Sequence, residues 1–350
     1  MSKKLLTLAV PTYNMEKYLG RCLDSVLCAN RDFLEVLVVN DGSKDRSSAI
    51  GHEYEAKYPD VIRVIDKENG NYGSCVNRAL DEATGKYFRM LDSDDWFDTK
   101  ALDEWIERLK TCDADLVLTI AEDRVEDGSL LRRLDAPNAI LENKIYHVEE
   151  FDAAKLGYKY LFCSHVVTYK TSILKDIHLR LQHGISYTDN EYVFFPLDHI
   201  QSAIYYNLPV YQYFVGRDGQ TTQQDVLQNS FKQLYQVFNR LFEYYILHKN
   251  NPIESVLSNQ KSVLLEILHW IYYPLFCEPI TANKKECLKQ IEQLLCADYE
   301  LYSLIAKKER LLSFYRRTGL NLESPITRIY RFWITGINFI VKRIYLNSGH

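Results

Sequence analysis

The chain has 350 residues, a hydrophobic fraction of 47% and a net charge of -5, which is enough apolar material for one large domain or a domain with an extension, and excludes wholesale disorder. The acidic balance excludes a general nucleic-acid binder, so no nucleic-acid partner is expected. The cysteines at 22, 28, 75, 112, 163, 277, 287 and 296 include no CxxC pair, so neither zinc spacing nor a disulfide framework is implied; reduced, mostly buried cysteines in a cytoplasmic protein are expected.

Apolar runs at Leu5–Val10, Phe33–Val39, Val61–Ile65, Tyr87–Leu91 and Leu116–Ile120 predict strands, and helix-period segments near 16–29, 45–57, 74–83 and 99–110 fall between them. Continuous apolar strands alternating with helices indicate an α/β fold: a Rossmann-like, doubly wound, mostly parallel sheet covered on both faces. Leu5–Val10 begins like a secretory leader, but the run is too short, and Pro11-Thr12-Tyr13-Asn14 follows where a small-residue cleavage site would stand. Residues 123–148 are charged and turn-rich and read as a hairpin or loop excursion. A mixed pattern returns over 149–220, with strands at Ile204–Tyr206 and Val210–Val215. From about 225 onward the pattern is helical, broken at Asn250-Asn251-Pro252, Pro279 and Pro325. The expected division is a first domain over 1–222 and a mainly helical C-terminal extension over 223–350. No run of 18 apolar residues predicts a membrane-spanning helix.

Open α/β sheets bind ligands at the carboxyl ends of their strands, so chemistry is sought there. Pro11 cannot donate a backbone hydrogen bond and suits a strand's end; Tyr13 could lie against a nucleobase or be an ordinary exposed turn residue. In Asn40-Asp41-Gly42-Ser43, Asp41 could accept from a base N–H or a ribose hydroxyl, or serve only the turn that Asp-Gly favours. Lys67 to Ser74, rich in Gly and Asn, leads into a helix N-terminus that can approach a phosphate, although it is neither GxGxxG nor a P-loop. Asp92-Ser93-Asp94-Asp95 gathers three carboxylates that repel one another. In an extended chain Asp92 and Asp94 point to one side and would suit Mg2+ or Mn2+, while an acidic helix N-terminus is the alternative. Thr188 and Glu191 form a capping-box pattern beside Asp189, which is a candidate general base.

These motifs, in this order and at these intervals, resemble the inverting family 2 glycosyltransferases of GT-A fold, specifically over about residues 5–110 and by scattered matches to about 220. The resemblance implies a nucleotide-sugar donor, with UDP the commoner nucleotide. Pro11, Tyr13 and Asp41 would hold the nucleoside and Asn71 would lie near base or phosphates. Asp92-Ser93-Asp94 resembles the family's DxD motif: Asp92 on the ribose, Asp94 on a metal bridging the pyrophosphate. Asp189 stands at the place of the Asp in the family's Glu-Asp pair, with Thr188 where relatives carry Glu. Arg217 resembles a later basic position on the pyrophosphate. His165 lies in a segment near the acceptor in relatives and reads as structural. The alternative is a catalytically silent, donor-binding partner of the same fold, against which the intact Asp92, Asp94 and Asp189 speak.

Residues 301–350 hold nine Lys or Arg and two acidic residues, a charge of +7 that leaves -12 for the rest of the chain. Within 326–345 the uncharged stretch Phe332–Val341 is flanked by Arg331 and by Lys342-Arg343. It suits a helix lying on an anionic membrane surface and equally a helix packed on the core. The first arrangement would put the protein at the inner face of the cell membrane and make a lipid-linked acceptor reasonable, in surface-polysaccharide assembly; a free saccharide is the other acceptor class.

Overall fold

The computed structural model describes residues 4–157, 163–217, 219–220, 223–276 and 281–318, so the 326–345 segment lies outside the described residues. The described residues fall into two compact units, one running to Gln220 and including Glu243–Val263, the other made of Phe242 and the residues before it from 223, with Leu264 onward.

In the first unit β1 (Leu6–Thr12), α1 (Leu19–Ser25), β2 (Leu34–Asn40), α2 (Ser47–Lys57), β3 (Ile62–Asp66), α3 (Asn71–Glu82) and β4 (Tyr87–Met90) build a parallel half-sheet in the order β3-β2-β1-β4. All seven residues of β1 are buried, which is why its sequence is mostly apolar, with Thr7 and Thr12 as the polar members. After β5 (Trp96–Phe97), Asp98 caps α4 (Thr99–Leu109) by accepting from Ala101 N at 2.8 Å. The helix buries Leu102, Trp105, Ile106 and Leu109 at helical spacing.

The fifth apolar run gives β6 (Leu116–Leu118). It does not lie beside β4, because β10 (Val167–Lys170) is inserted antiparallel between them, its Tyr169 ring buried and its hydroxyl donating to Val193 O at 2.8 Å. The main sheet is therefore mixed at this side and continues through β11 (Ser202–Tyr205) to β9 (Ile145–His147). The expected excursion over 123–148 contains a true hairpin, β7 (Ala121–Arg124) with β8 (Leu130–Arg133). With β5 and β12 (Tyr211–Phe214) it makes a second, four-stranded sheet ordered β5-β12-β7-β8. Two short helices, α5 (Thr171–Asp176) and α6 (Asp189–Phe194), complete the part that carries the site.

The helical pattern of the C-terminal part is α7 (Gln224–His248), α8 (Glu254–Phe276), α9 (Ala282–Leu295), α10 (Tyr299–Lys308) and α11 (Arg310–Thr318). The gap between α7 and α8 falls at Asn250-Asn251-Pro252. In the second unit Thr281 and Asp298 cap α9 and α10, and Arg316 forks onto Glu292 with Nε at 2.6 Å and Nη2 at 2.8 Å. Among the described residues no helix is long and apolar enough to cross a membrane.

Candidate functional site

The chain leaves β1 toward β2 and β3 on one side and returns through α3 to β4 on the other, so the order reverses at the β1/β4 pair and a crevice opens beyond their carboxyl ends. Pro11 ends the pairing there. Leu91 N donates to Ala9 O at 2.9 Å, and the next rung would need an N–H at position 11. The chain after β4 is instead held by Ser93 Oγ, which donates to Pro11 O at 2.8 Å.

Tyr13 stands at this rim 46% exposed. The turn behind it is interlocked with the turn after β2. The amides of Asn14, Met15 and Glu16 donate to Ser43 Oγ, Ser47 Oγ and Asp45 Oδ2 at 3.1, 2.7 and 3.0 Å. In return the amides of Lys44 and Arg46 donate to Asn14 Oδ1 and Glu16 Oε2 at 2.8 and 3.0 Å. Asn14 reaches this geometry at φ +54°, a left-handed conformation that Asn tolerates. This clamp occupies 14–16, so the helix expected from 16 starts only at Leu19.

Asp41 is buried and fully engaged. Its Oδ1 accepts from Lys67 Nζ at 2.6 Å and Gly70 N at 2.9 Å, and its Oδ2 accepts from Asn71 N at 2.9 Å. The side chain placed on a nucleoside by resemblance thus shapes the 67–71 loop in this structure. Asn71, at φ +66°, opens α3, and Tyr72 donates from Oη to Asp92 Oδ1 at 2.7 Å.

The carboxylates gather at the other end of the crevice. Asp92 through Asp95 form a turn closed by Asp95 N donating to Asp92 O at 3.0 Å. Asp95 is buried, accepting from Tyr211 Oη and Phe214 N at 2.7 Å each. Asp94 accepts from Arg217 Nε at 2.6 Å, and its backbone oxygen accepts from Arg21 Nη2 at 2.7 Å. His165 Nε2 lies 3.5 Å from Asp92 Oδ2, its ring stacked between Tyr211 and Tyr213 with centroids at 4.5 and 4.8 Å. Asp189 is 3.4 Å from Ser164 Oγ at the first turn of α6. Thr188 makes no side-chain cap, and Glu191 instead accepts from Gln182 N at 2.7 Å, so the capping-box reading gives way to a loop contact.

Burial and the neighbouring Asp92 charge push the Asp94 and Asp189 carboxyls upward. Burial with Asp94 and Asp92 does so strongly at Asp95. Against the upward push of burial, His165 and Tyr72 hold Asp92 below the usual carboxylate range. Such a concentration of carboxyls fits a divalent cation. Asp92, Asp95 and His165 each offer a ligand atom, all within 4.8 Å of one another, a mixed oxygen and nitrogen set that suits Mn2+ better than Mg2+. The structure therefore groups Asp92 with Asp95 and His165, and gives Asp94 to Arg217. Asp95, Tyr72 and Tyr211 were not singled out from sequence. Asp95 was visible inside the acidic motif, whereas Tyr211 arrives only through the pairing of β12 with β5.

The profile of the Glycosyl transferase family 2 matches residues 7–177. An uncharacterized glycosyltransferase of Mycoplasma genitalium is 44% identical over 100 residues, 27% of this chain and 33% of its own length. EpsH of Bacillus subtilis, named as a glycosyltransferase, is 25% identical over 73% of this chain and 72% of its own length. GlyA of Streptococcus pneumoniae, a glycosyltransferase, is 34% identical over 32% of this chain and 16% of its own. The chain thus spans about a third of the Mycoplasma protein. Among solved structures, Staphylococcus aureus TarS 1–349 in complex with UDP-GlcNAc superposes with a TM-score of 0.62 at 18% identity, covering 89% of this chain and 87% of that one. The mannosyltransferase PcManGT of Pyrobaculum calidifontis, in complex with GDP-Man and Mn2+, gives 0.50 at 15% identity, over 87% and 84%. At these identities the structural likeness establishes the GT-A fold.

Proposed function

Since the chain belongs to glycosyl transferase family 2 through residues 7–177, we propose that it transfers a sugar from a nucleotide-diphosphate sugar of the UDP class to an acceptor hydroxyl, with inversion. The observation that carries the reading is the convergence on the β1/β4 crevice of an exposed Tyr13, the loop organised by Asp41, and the carboxyls of Asp92, Asp94, Asp95 and Asp189. The UDP-GlcNAc complex of TarS and the Mn2+ in the mannosyltransferase complex support the donor class and the cation.

Tyr13 stacks on the base, and the 67–71 loop with the α3 N-terminus faces the phosphates. Asp92, set between Tyr72 on one oxygen and His165 on the other, is the residue assigned to the ribose. Asp92, Asp95 and His165, with Asp94 beside them, would hold a divalent cation, which would supply positive charge to offset that of the departing diphosphate. Arg217, now on Asp94, brings fixed positive charge to the same place. In the transfer the bond from the anomeric carbon to the diphosphate oxygen breaks as the bond to the acceptor oxygen forms on the opposite face. The hydroxyl proton passes to Asp189, whose raised carboxyl is a better base than an ordinary aspartate. The acceptor is a saccharide or a lipid-linked saccharide.

The test is a thermal-shift panel of nucleotide sugars with and without Mn2+. A donor at a hundred times its dissociation constant stabilises by about 2.7 kcal/mol. That raises the midpoint by about 5–10 °C for a unit of this size. No shift from any donor with Mn2+ present overturns the reading, and a shift without turnover identifies a donor-binding partner that does no chemistry.

A further inference from the structure

The loop that leads into α6 and Asp189 is fastened to α3 at several points. Asn77 grips the Leu181 peptide from both sides: Nδ2 donates to Leu181 O at 2.8 Å, and Leu181 N donates to Oδ1 at 2.8 Å. Both residues are buried. Gly184 N donates to Gly70 O at 2.9 Å, and Gln182 N is held by Glu191 of α6 itself. At Gly73 the two segments approach so closely that a Cβ would stand 2.2 Å from Gln182 O and 3.0 Å from Thr188 Oγ1.

These attachments touch neither the crevice carboxyls nor Tyr13. Packing alone would be served by an apolar side chain at 77. A carboxamide is required because the Leu181 N–H and C=O are turned toward α3 and away from a strand, and buried backbone groups need partners. The segment 70–77 that receives the loop also carries Asn71, held by Asp41, and Tyr72, bonded to Asp92. We infer that Gly73 and Asn77 are positioning residues that fix Asp189 against the donor-binding loop, so that the donor and the base share one support. The inference rests on the roles proposed above for Asp189 and the donor loop.

The test uses the full chain with Asn77→Leu and Gly73→Ala. Amide hydrogen exchange is measured without ligand, UDP affinity with Mn2+ by titration, and UDP release from UDP-GlcNAc for kcat and KM. Exchange is expected to rise at 181–184 and 189–191 while the α3 amides keep their protection. In Asn77→Leu, which lies beyond the first turn of α3, UDP affinity should stay within about twofold and kcat should fall at least about tenfold, because displacing a catalytic group by a fraction of an ångström is costly. For Asn77→Leu, an unchanged kcat, or a loss of UDP affinity that accounts for all of the loss in turnover, overturns the inference. A wild-type protein that neither binds UDP nor releases it from the donor sinks the proposed function instead. The exchange arm then decides alone, and unaltered protection at 181–184 in both variants overturns the positioning role.

Discussion

Replacing Asp41 by Asn removes a charge and one acceptor while leaving the side chain's shape almost unchanged. The native carboxylate serves three donors, Lys67 Nζ and Gly70 N on one oxygen and Asn71 N on the other. Its side chain is 4% exposed and that of Lys67 22%. An amide can turn its oxygen to one side only. In the milder orientation it keeps Lys67 and Gly70 and presents its NH2 to the Asn71 N–H, stranding that donor. Hydrogen bonds to charged groups contribute about 1.5–3 kcal/mol and a stranded buried donor costs about 1–3 kcal/mol. Allowing for water at Lys67, the loss is about 3 kcal/mol. The melting midpoint should therefore fall by about 6–12 °C. Circular dichroism melts of Asp41→Asn, Lys67→Met and the double variant measure it, and the cycle should return a coupling of about 1–3 kcal/mol. A fall of less than about 2 °C, or additive effects of the two changes, would refute the view that Asp41 organises the loop.

Asp94→Ala is expected to abolish Mn2+-dependent stabilisation by UDP, whereas Asp189→Asn keeps it and loses turnover by about 10²–10⁴-fold; equal UDP affinity of wild type and Asp94→Ala at saturating Mn2+ contradicts the first. Asp45→Asn turns an NH2 toward the Glu16 or Ser47 amide, so exchange at 14–16 should rise and UDP should bind more weakly by about 1–2 kcal/mol. Unchanged exchange there would show that the clamp does not depend on this carboxylate. The bonds of His52 to Asp66 and Glu55 hold its imidazole above its ordinary pKa. A raised histidine stabilises the fold fully below its unfolded value of about 6.5 and loses that contribution as pH rises through the folded value. The urea midpoint of wild type should therefore exceed that of His52→Gln at about pH 6 by a margin that narrows toward about pH 8.5, and a margin that widens contradicts the assignment.

β1, β2 and β4 were legible because strands covered on both faces are mostly apolar, their polar residues being the buried Thr7, Thr12, Asn40 and Arg89 and the half-buried Glu35, whereas β3, exposed at Arg63 and Asp66, was legible from the apolar Val61, Ile62, Val64 and Ile65. The α7–α8 break was legible for a local reason, since Asn250-Asn251-Pro252 cannot continue a helix. The placement of β10 was not legible. Val167–Lys170 is four residues long, and its position between β4 and β6 depends on partners far away in the chain. In the sequence His165 reads as structural, because nothing around it announces the two tyrosine rings between which it is stacked. Asn77 gave no signal, and Gly73 only that of a Gly- and Asn-rich loop, since the partners of both lie more than a hundred residues on.

The acidic motif shows most clearly where sequence reasoning reached its limit. Pairing Asp92 with Asp94 on one side assumes that the strand's two-residue alternation continues through the motif. β4 ends at Met90, however, and the bond from Asp95 N to Asp92 O bends the following residues into a turn. The turn brings Asp95 back toward Asp92, where Tyr211 donates to Asp95 and accepts from the Asp92 amide, and sends Asp94 outward to Arg217. Asp95 is thereby both a member of the acidic cluster and the anchor of β12, because Phe214 N bonds its other oxygen. Arg217 follows β12 by three residues, so the carboxylate that anchors this strand also sets the reach of the arginine that meets Asp94. The repulsion among the three carboxyls is thus partitioned by the backbone: one is held low by His165, one is paired with Arg217, and one is buried on neutral donors.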